Sequence, residues 1–135
     1  MRDKAFLDTN ILLYTLGQDD VRTPVAEALV AQGGIISVQV LNELASVAHR
    51  QLKMSWPHVT AALDAIRILC PSVVPMSVKT HDAALRLAVR HGFHIYDALV
   101  IAAALEAGCA TLYSEDMRSG QLIGGRLKIC NPFAG

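Results

Sequence analysis

This 135-residue chain has no surplus of charge, with twelve Lys and Arg against twelve Asp and Glu. A neutral chain does not attract nucleic acid in bulk, so such a partner must be held by a local patch or through a metal. Cysteine is scarce as well. Cys70, Cys109 and Cys130 are odd in number and have no C-x-x-C spacing. That excludes a disulfide framework and a structural zinc site, fits a reducing cytoplasm, and leaves the three as small core residues. Long apolar runs are missing: Ala98 to Leu105 is the longest and is too short to span a bilayer. With Asp3 among the first residues, no signal peptide is visible. There is no Gly-rich phosphate loop, since Gly33-Gly34 and Gly124-Gly125 are lone pairs in turns, and no G-x-S-x-G elbow. Nor is there a repeat, a low-complexity tract or a linker.

What the chain does have is apolar bulk. It is 53% hydrophobic and 18% charged, which excludes a disordered chain and predicts one domain, residues 1–135, with a proper core. Apolar and neutral together, it is expected to cover part of its surface with another subunit or partner.

Ala5 to Leu7 reads as a buried first strand that stops at Asp8, with a short helix from Asn10 to Leu16 closed by Gly17. Thr23-Pro24 predicts the next helix start, Thr as N-cap, and Gly33-Gly34 its end. Ile35 to Ser37 is a second strand, Val38 to about His49 a helix. Ser55-Trp56-Pro57 opens another helix, ended by Pro71. Val73-Val74, between prolines, is an edge strand. Ser77 to His91 is an amphipathic helix capped by Gly92. Ala98 to Ala107 is apolar nearly all round and is therefore expected at the centre, with Gly108 after it. Ala110 to Tyr113 and Leu127 to Ile129 are late strands, followed by a loose tail. Strands separated by helices imply parallel pairing with right-handed crossovers. The expectation is a three-layer α/β/α domain around a short, mostly parallel sheet.

The acids fall at telling places. Asp8 ends the first strand, where an open α/β sheet has its crevice. Glu43 shares a helical stripe with Val40 and Val47, off the plainly solvated face. Asp97 stands at the start of the most apolar helix, and Asp116 follows a late strand two residues after Ser114. Glu115 points away from Asp116 if the strand geometry persists. Taken singly, Asp8 and Asp97 read equally well as helix caps, Glu43 as an exposed glutamate and Asp116 as a turn residue. As a set, all four can converge on one carboxyl-end crevice. Crowded carboxylates repel unless a cation neutralises them, and hard oxygen ligands favour Mg²⁺ or Mn²⁺. Such a site suits phosphodiester hydrolysis.

Phe6-Leu7-Asp8-Thr9-Asn10, Leu41-Asn42-Glu43, Ile95-Tyr96-Asp97-Ala98 and Tyr113-Ser114-Glu115-Asp116-Met117 resemble, in order, the four motifs of PIN-domain ribonucleases. They are most similar to those of the VapC-type toxins of bacterial toxin–antitoxin pairs. The resemblance implies that Asp8, Glu43, Asp97 and Asp116 hold one or two Mg²⁺ or Mn²⁺ ions. It further implies that Ser114 is the hydroxyl residue preceding the last acid, and that Thr9 and Asn10 support the site. An RNA substrate, a homodimer and a cognate antitoxin are implied as partners. A receiver domain would need an acid after the third strand, where Val74-Pro75-Met76 stands. A HAD-like phosphatase would need a second acid at Asn10. A PIN-fold binding module without cleavage stays open. His91 and His94 read as surface or turn residues, while Trp56 and Tyr14 read equally as core or interface.

Overall fold

The computed structural model describes residues 4–134. Phe6 and Leu7, both buried, form β1 (Phe6–Leu7). It pairs in parallel with β4 (Thr111–Tyr113), and β4 pairs in parallel with β6 (Leu127–Cys130). The order is β1-β4-β6-β5, where β5 (Leu122–Ile123) runs antiparallel to β6. The sequence pattern does not announce β5, since two residues are too few to show an alternation. On the far side of β1, β2 (Ile36–Ser37) and β3 (Val73–Val74) make a parallel pair, joined to β1 by a bridge between Phe6 and Ile35. Val73-Val74 is thus the edge expected of it. Gly34 is required where the chain passes over β1, because a Cβ there would come within 2.6 Å of Leu7 Cγ.

Helices outnumber strands in length and cover the sheet: α1 (Thr9–Leu16), α2 (Arg22–Ala31), α3 (Val38–Arg50), α4 (Trp56–Leu69), α5 (Val78–His91) and α6 (Ile95–Glu106). The architecture is the expected three-layer α/β/α one. Its core joins Phe6, Ile36, Leu112 and Ile129 of the sheet to Ile11, Leu12, Leu44 and Ile101 of the helices. Each such fully buried side chain contributes roughly 1.5–3 kcal/mol relative to exposure. The all-round apolarity of α6 has a direct cause. Val100, Ile101 and Ala104 face the main core, while Ala98 and Ala102 pack on Ala84 of α5. Small residues on both helices let them approach closely.

Three local expectations are corrected. Thr23 is not the cap of α2: the Asp19 carboxylate takes the N–H groups of Val21 and Arg22 at 3.0 and 2.7 Å, so the helix starts earlier. Thr23 instead donates its hydroxyl to the Tyr14 carbonyl oxygen. Asp97 is not the cap of α6 either, because His94 accepts the Tyr96 N–H through Nδ1 and the helix begins at Ile95. The tail is not loose, since Phe133 packs edge-on against Tyr14 with ring centroids 5.1 Å apart.

Candidate active site

At the carboxyl end of β1, Asp8 divides its two oxygens between tasks. Oδ1 accepts the Thr9 N–H at 2.7 Å and caps α1; Oδ2 accepts the Ser114 hydroxyl at 2.7 Å from the end of β4. The side chain, 5% exposed, thus caps α1 through one oxygen and holds Ser114 through the other. Glu43 lies half-buried on α3. Its oxygens accept the Thr9 hydroxyl at 3.0 Å and the Gln39 amide at 2.7 Å. Asp97 sits in the first turn of α6, where the helix presents its positive end. Asp116 is exposed just beyond β4 and accepts from Asn10 Nδ2 at 3.1 Å. The same Asn10 nitrogen lies 3.4 Å from both Asp8 Oδ2 and Ser114 Oγ. Parallel pairing of β1 with β4 brings residues more than a hundred positions apart into this one cluster.

The electrostatics tie the four acids together. Burial, above all, raises Asp8 from the ordinary 3.8 to about 6; the Ser114 and Thr9 hydrogen bonds oppose the rise, and the charges of Asp97 and Glu43 add to it. Asp97 is also raised, first by burial. His94 pulls it down, while Glu43 and Asp116 push it up. The ion pairs seen among the described residues engage Arg22 with Asp19 and Glu115, and none engages the four acids.

Among the described residues, no three His, Cys, Asp or Glu side chains stand grouped as ligands of one metal ion. The chemistry of the donors nevertheless fits a hard divalent cation: the set is all oxygen, carries several negative charges, and two of its members have raised pKa values. Mg²⁺ and Mn²⁺ commonly take a few carboxylates and keep waters in their remaining positions.

Asp8, Glu43, Asp97, Asp116 and Ser114, the candidates read from sequence, are all brought to this end of the sheet. Gln39 was missed, although its place one helical turn before Glu43 was the available signal. Glu115 does turn away from Asp116, but not into solvent. Tyr14 donates its hydroxyl to Glu115 Oε1, and Arg22 Nε donates to Oε2 at 2.5 Å. His91 is exposed as expected; His94, also exposed, caps α6 beside Asp97. Trp56 is exposed and stacks on His49, with centroids 3.9 Å apart.

Fold and site together define an α/β domain with an acidic cluster at the carboxyl ends of parallel strands. The chain belongs to the PIN-domain family, whose model matches residues 5–121. Among solved structures it is similar to VapC20 of Mycobacterium tuberculosis, a sarcin–ricin loop cleaving toxin. The identity is 23% and the TM-score 0.69, over 84% of this chain and 90% of that one. It is similar also to a chain of a toxin–antitoxin complex from Klebsiella pneumoniae, at 19% identity and TM-score 0.71 over 96% and 98%. A third is a chain of DNA-bound VapBC from Salmonella typhimurium, at 19% and 0.68 over 95% and 98%. At these identities the likeness is one of fold. No curated protein matches the sequence.

Proposed function

We propose that the chain is a metal-dependent endoribonuclease that hydrolyses RNA phosphodiester bonds, and that it is the toxin of a type II toxin–antitoxin pair. One observation carries this reading. The charges of Asp97 and Glu43 act on Asp8, those of Glu43 and Asp116 act on Asp97, and no Lys or Arg among the described residues pairs with these four acids. Evolving such repulsion into a fold makes sense where a cation is to be held. Asp8, Glu43, Asp97 and Asp116 would hold Mg²⁺ or Mn²⁺, which when bound neutralises them and polarises a water and a phosphate oxygen. The protein's own groups do the orienting. Ser114 and the Thr9 N–H fix the Asp8 carboxylate, Thr9 and Gln39 fix Glu43, and Asp116 stands at the solvent side.

RNA is favoured by what lies beside the acids. An open groove of about 670 Å³ leads from Glu43 and Asp97 past Asn42, Ser46, Arg50, His94 and Tyr96. Tyr96 is 54% exposed and offers a ring on which an unpaired base can stack. Arg50, braced on Ser46 at 3.1 Å, offers a cation for phosphate. Arg50 and Tyr96 are the groups by which this reading has a neutral chain engage RNA. Another cavity, about 450 Å³, is lined by Lys4, Gly33 and Gly34 near the opposite end of β1 and has no acid in its wall.

A homodimer is supported by Val78, Leu85 and Val89, which lie exposed on one face of α5. A cognate antitoxin is supported by the toxin–antitoxin complexes among the similar folds; it would inhibit by setting a basic side chain against the acids. A cytoplasmic site of action is proposed from the sequence, whose three cysteines are odd in number and without C-x-x-C spacing. The test is cleavage of single-stranded RNA by purified protein with Mn²⁺, Mg²⁺, Ca²⁺ or EDTA, alongside Asp8→Asn, Asp97→Asn and the exposed Glu27→Gln. Cleavage with Mn²⁺ that Glu27→Gln keeps and the two aspartate variants lose supports the reading. Cleavage retained by both aspartate variants makes the acids caps, and binding without any cleavage leaves the non-cutting module in its place.

A further inference from the structure

Ser114, Glu115 and Asp116 are consecutive, yet they serve two different places. The first bonds Asp8 and the third bonds Asn10, whereas Glu115, in the bend that follows β4, turns to the opposite side. There its carboxylate is fully engaged, with the Tyr14 hydroxyl on Oε1 and Arg22 Nε on Oε2 at 2.5 Å. Arg22 is itself pinned. Its guanidinium lies 5.7 Å from the Tyr14 ring centroid and 5.8 Å from that of Phe133, and Asp19 stands 3.7 Å away. The Glu115 backbone N–H completes the arrangement by donating to Asn10 Oδ1 at 3.0 Å, while the other end of the same amide reaches Asp116.

The clamp gathers α1, the start of α2 and the chain end onto one residue of a short loop. Its side chains are only partly buried, 40% exposed for Arg22 and 20% for Glu115. A pair of that exposure adds little to global stability, so geometry is the better explanation of what it does. The geometry at stake is that of Asp116, an exposed carboxylate whose charge acts on Asp97. Without a cation, that repulsion opposes the placement of Asp116 beside Asn10. Glu115, held from the other face of the same backbone, counters it.

We propose that Glu115 is a positioning residue: clamped by Tyr14 and Arg22, it keeps Asp116 turned toward Asn10 and the other acids, so that a divalent cation meets a loop already ordered. The inference rests on the metal-binding reading above. Ordering the loop in advance removes a cost that the cation would otherwise meet on binding. Supporting groups of this kind typically change metal affinity by 10–100-fold when removed.

The experiment measures Mn²⁺ affinity from the electron paramagnetic resonance signal of the unbound ion, with melting midpoints recorded in parallel. The proteins are the wild type, Glu115→Ala, Glu115→Gln, Arg22→Ala, Asp116→Asn and the double variant Glu115→Ala/Asp116→Asn. Expected are a loss of about tenfold or more for Glu115→Ala and for Arg22→Ala, with partial recovery in Glu115→Gln, whose single amide oxygen still accepts from Arg22 while its NH₂ group donates to the Tyr14 hydroxyl oxygen. The double variant should bind no more weakly than Asp116→Asn alone, because the clamp acts through Asp116. Additive losses in the double variant, or wild-type affinity in Glu115→Ala while Asp116→Asn is impaired, would overturn the clamp alone. A wild type that binds no Mn²⁺ would overturn the metal reading and the clamp together.

Discussion

Replacing Asp8 by Asn should stabilise the metal-free protein, the reverse of what removing a helix cap does. The buried carboxyl has its pKa raised from 3.8 to about 6. At neutral pH the ionised form therefore costs the fold about 3 kcal/mol at most. An amide removes that cost, but its NH₂ obliges Ser114 to turn from donor to acceptor, a loss of about 1 kcal/mol. The net gain expected at pH 7.5 is about 1–2 kcal/mol, or roughly 3–10 °C in midpoint for a domain of this size. The pH dependence carries the sign. The folded pKa lies above the unfolded one, so the folded chain keeps this proton more tightly. The contribution of Asp8 to stability is thus full below about pH 4 and declines as pH rises to about 6, beyond which it is constant. Asp97, also raised, acts in the same sense. Glu115 acts oppositely: burial pushes it up, but Tyr14 and Arg22 win and hold it low, so its support fades in acid. Comparing variant with wild type at each pH cancels that background. The difference should be near zero at pH 4, open by pH 6, and reverse sign in millimolar Mn²⁺, which stabilises the wild type by mass action. Thermal unfolding at pH 4, 5, 6 and 7.5, with and without Mn²⁺, reads all three. A variant less stable than wild type by the same margin at every pH would refute the reasoning and leave Asp8 a cap.

Three further outcomes are expected. Tyr96→Ala and Arg50→Ala should raise KM for single-stranded RNA about fivefold or more with kcat little changed, since one stacked base is worth about 1–3 kcal/mol; only Arg50→Ala should flatten the salt dependence, and unchanged KM in both would remove the groove from the substrate path. Leu112→Ala, at a position with no exposure and paired to strands on both sides, should cost about 2–5 kcal/mol in chemical denaturation. A loss below 1 kcal/mol would mean that β4 is not the central strand. Light scattering at tens of micromolar should give twice the chain mass, and Leu85→Glu with Val89→Glu should return it to one; a monomeric wild type would retire the homodimer.

Much of this protein is decided locally. Phe6 and Leu7 form a buried strand because they belong to an unbroken apolar run, and α6 belongs at the centre because no face of it is polar. The four acids could be picked out because each stands at an element end or on a helical stripe that the pattern marks. Caps were less legible, since several polar side chains near a helix start compete for the same N–H groups. Asp19 prevails over Thr23, and His94 over Asp97, through backbone geometry that composition does not reveal. What only the tertiary structure decides is which distant groups meet. The parallel register of β1 with β4 sets Ser114 against Asp8 and carries Glu115 to Tyr14 and Arg22. A glutamate between two site residues looks idle in a string of letters. The pairing of two strands turns it toward an arginine ninety-three positions away.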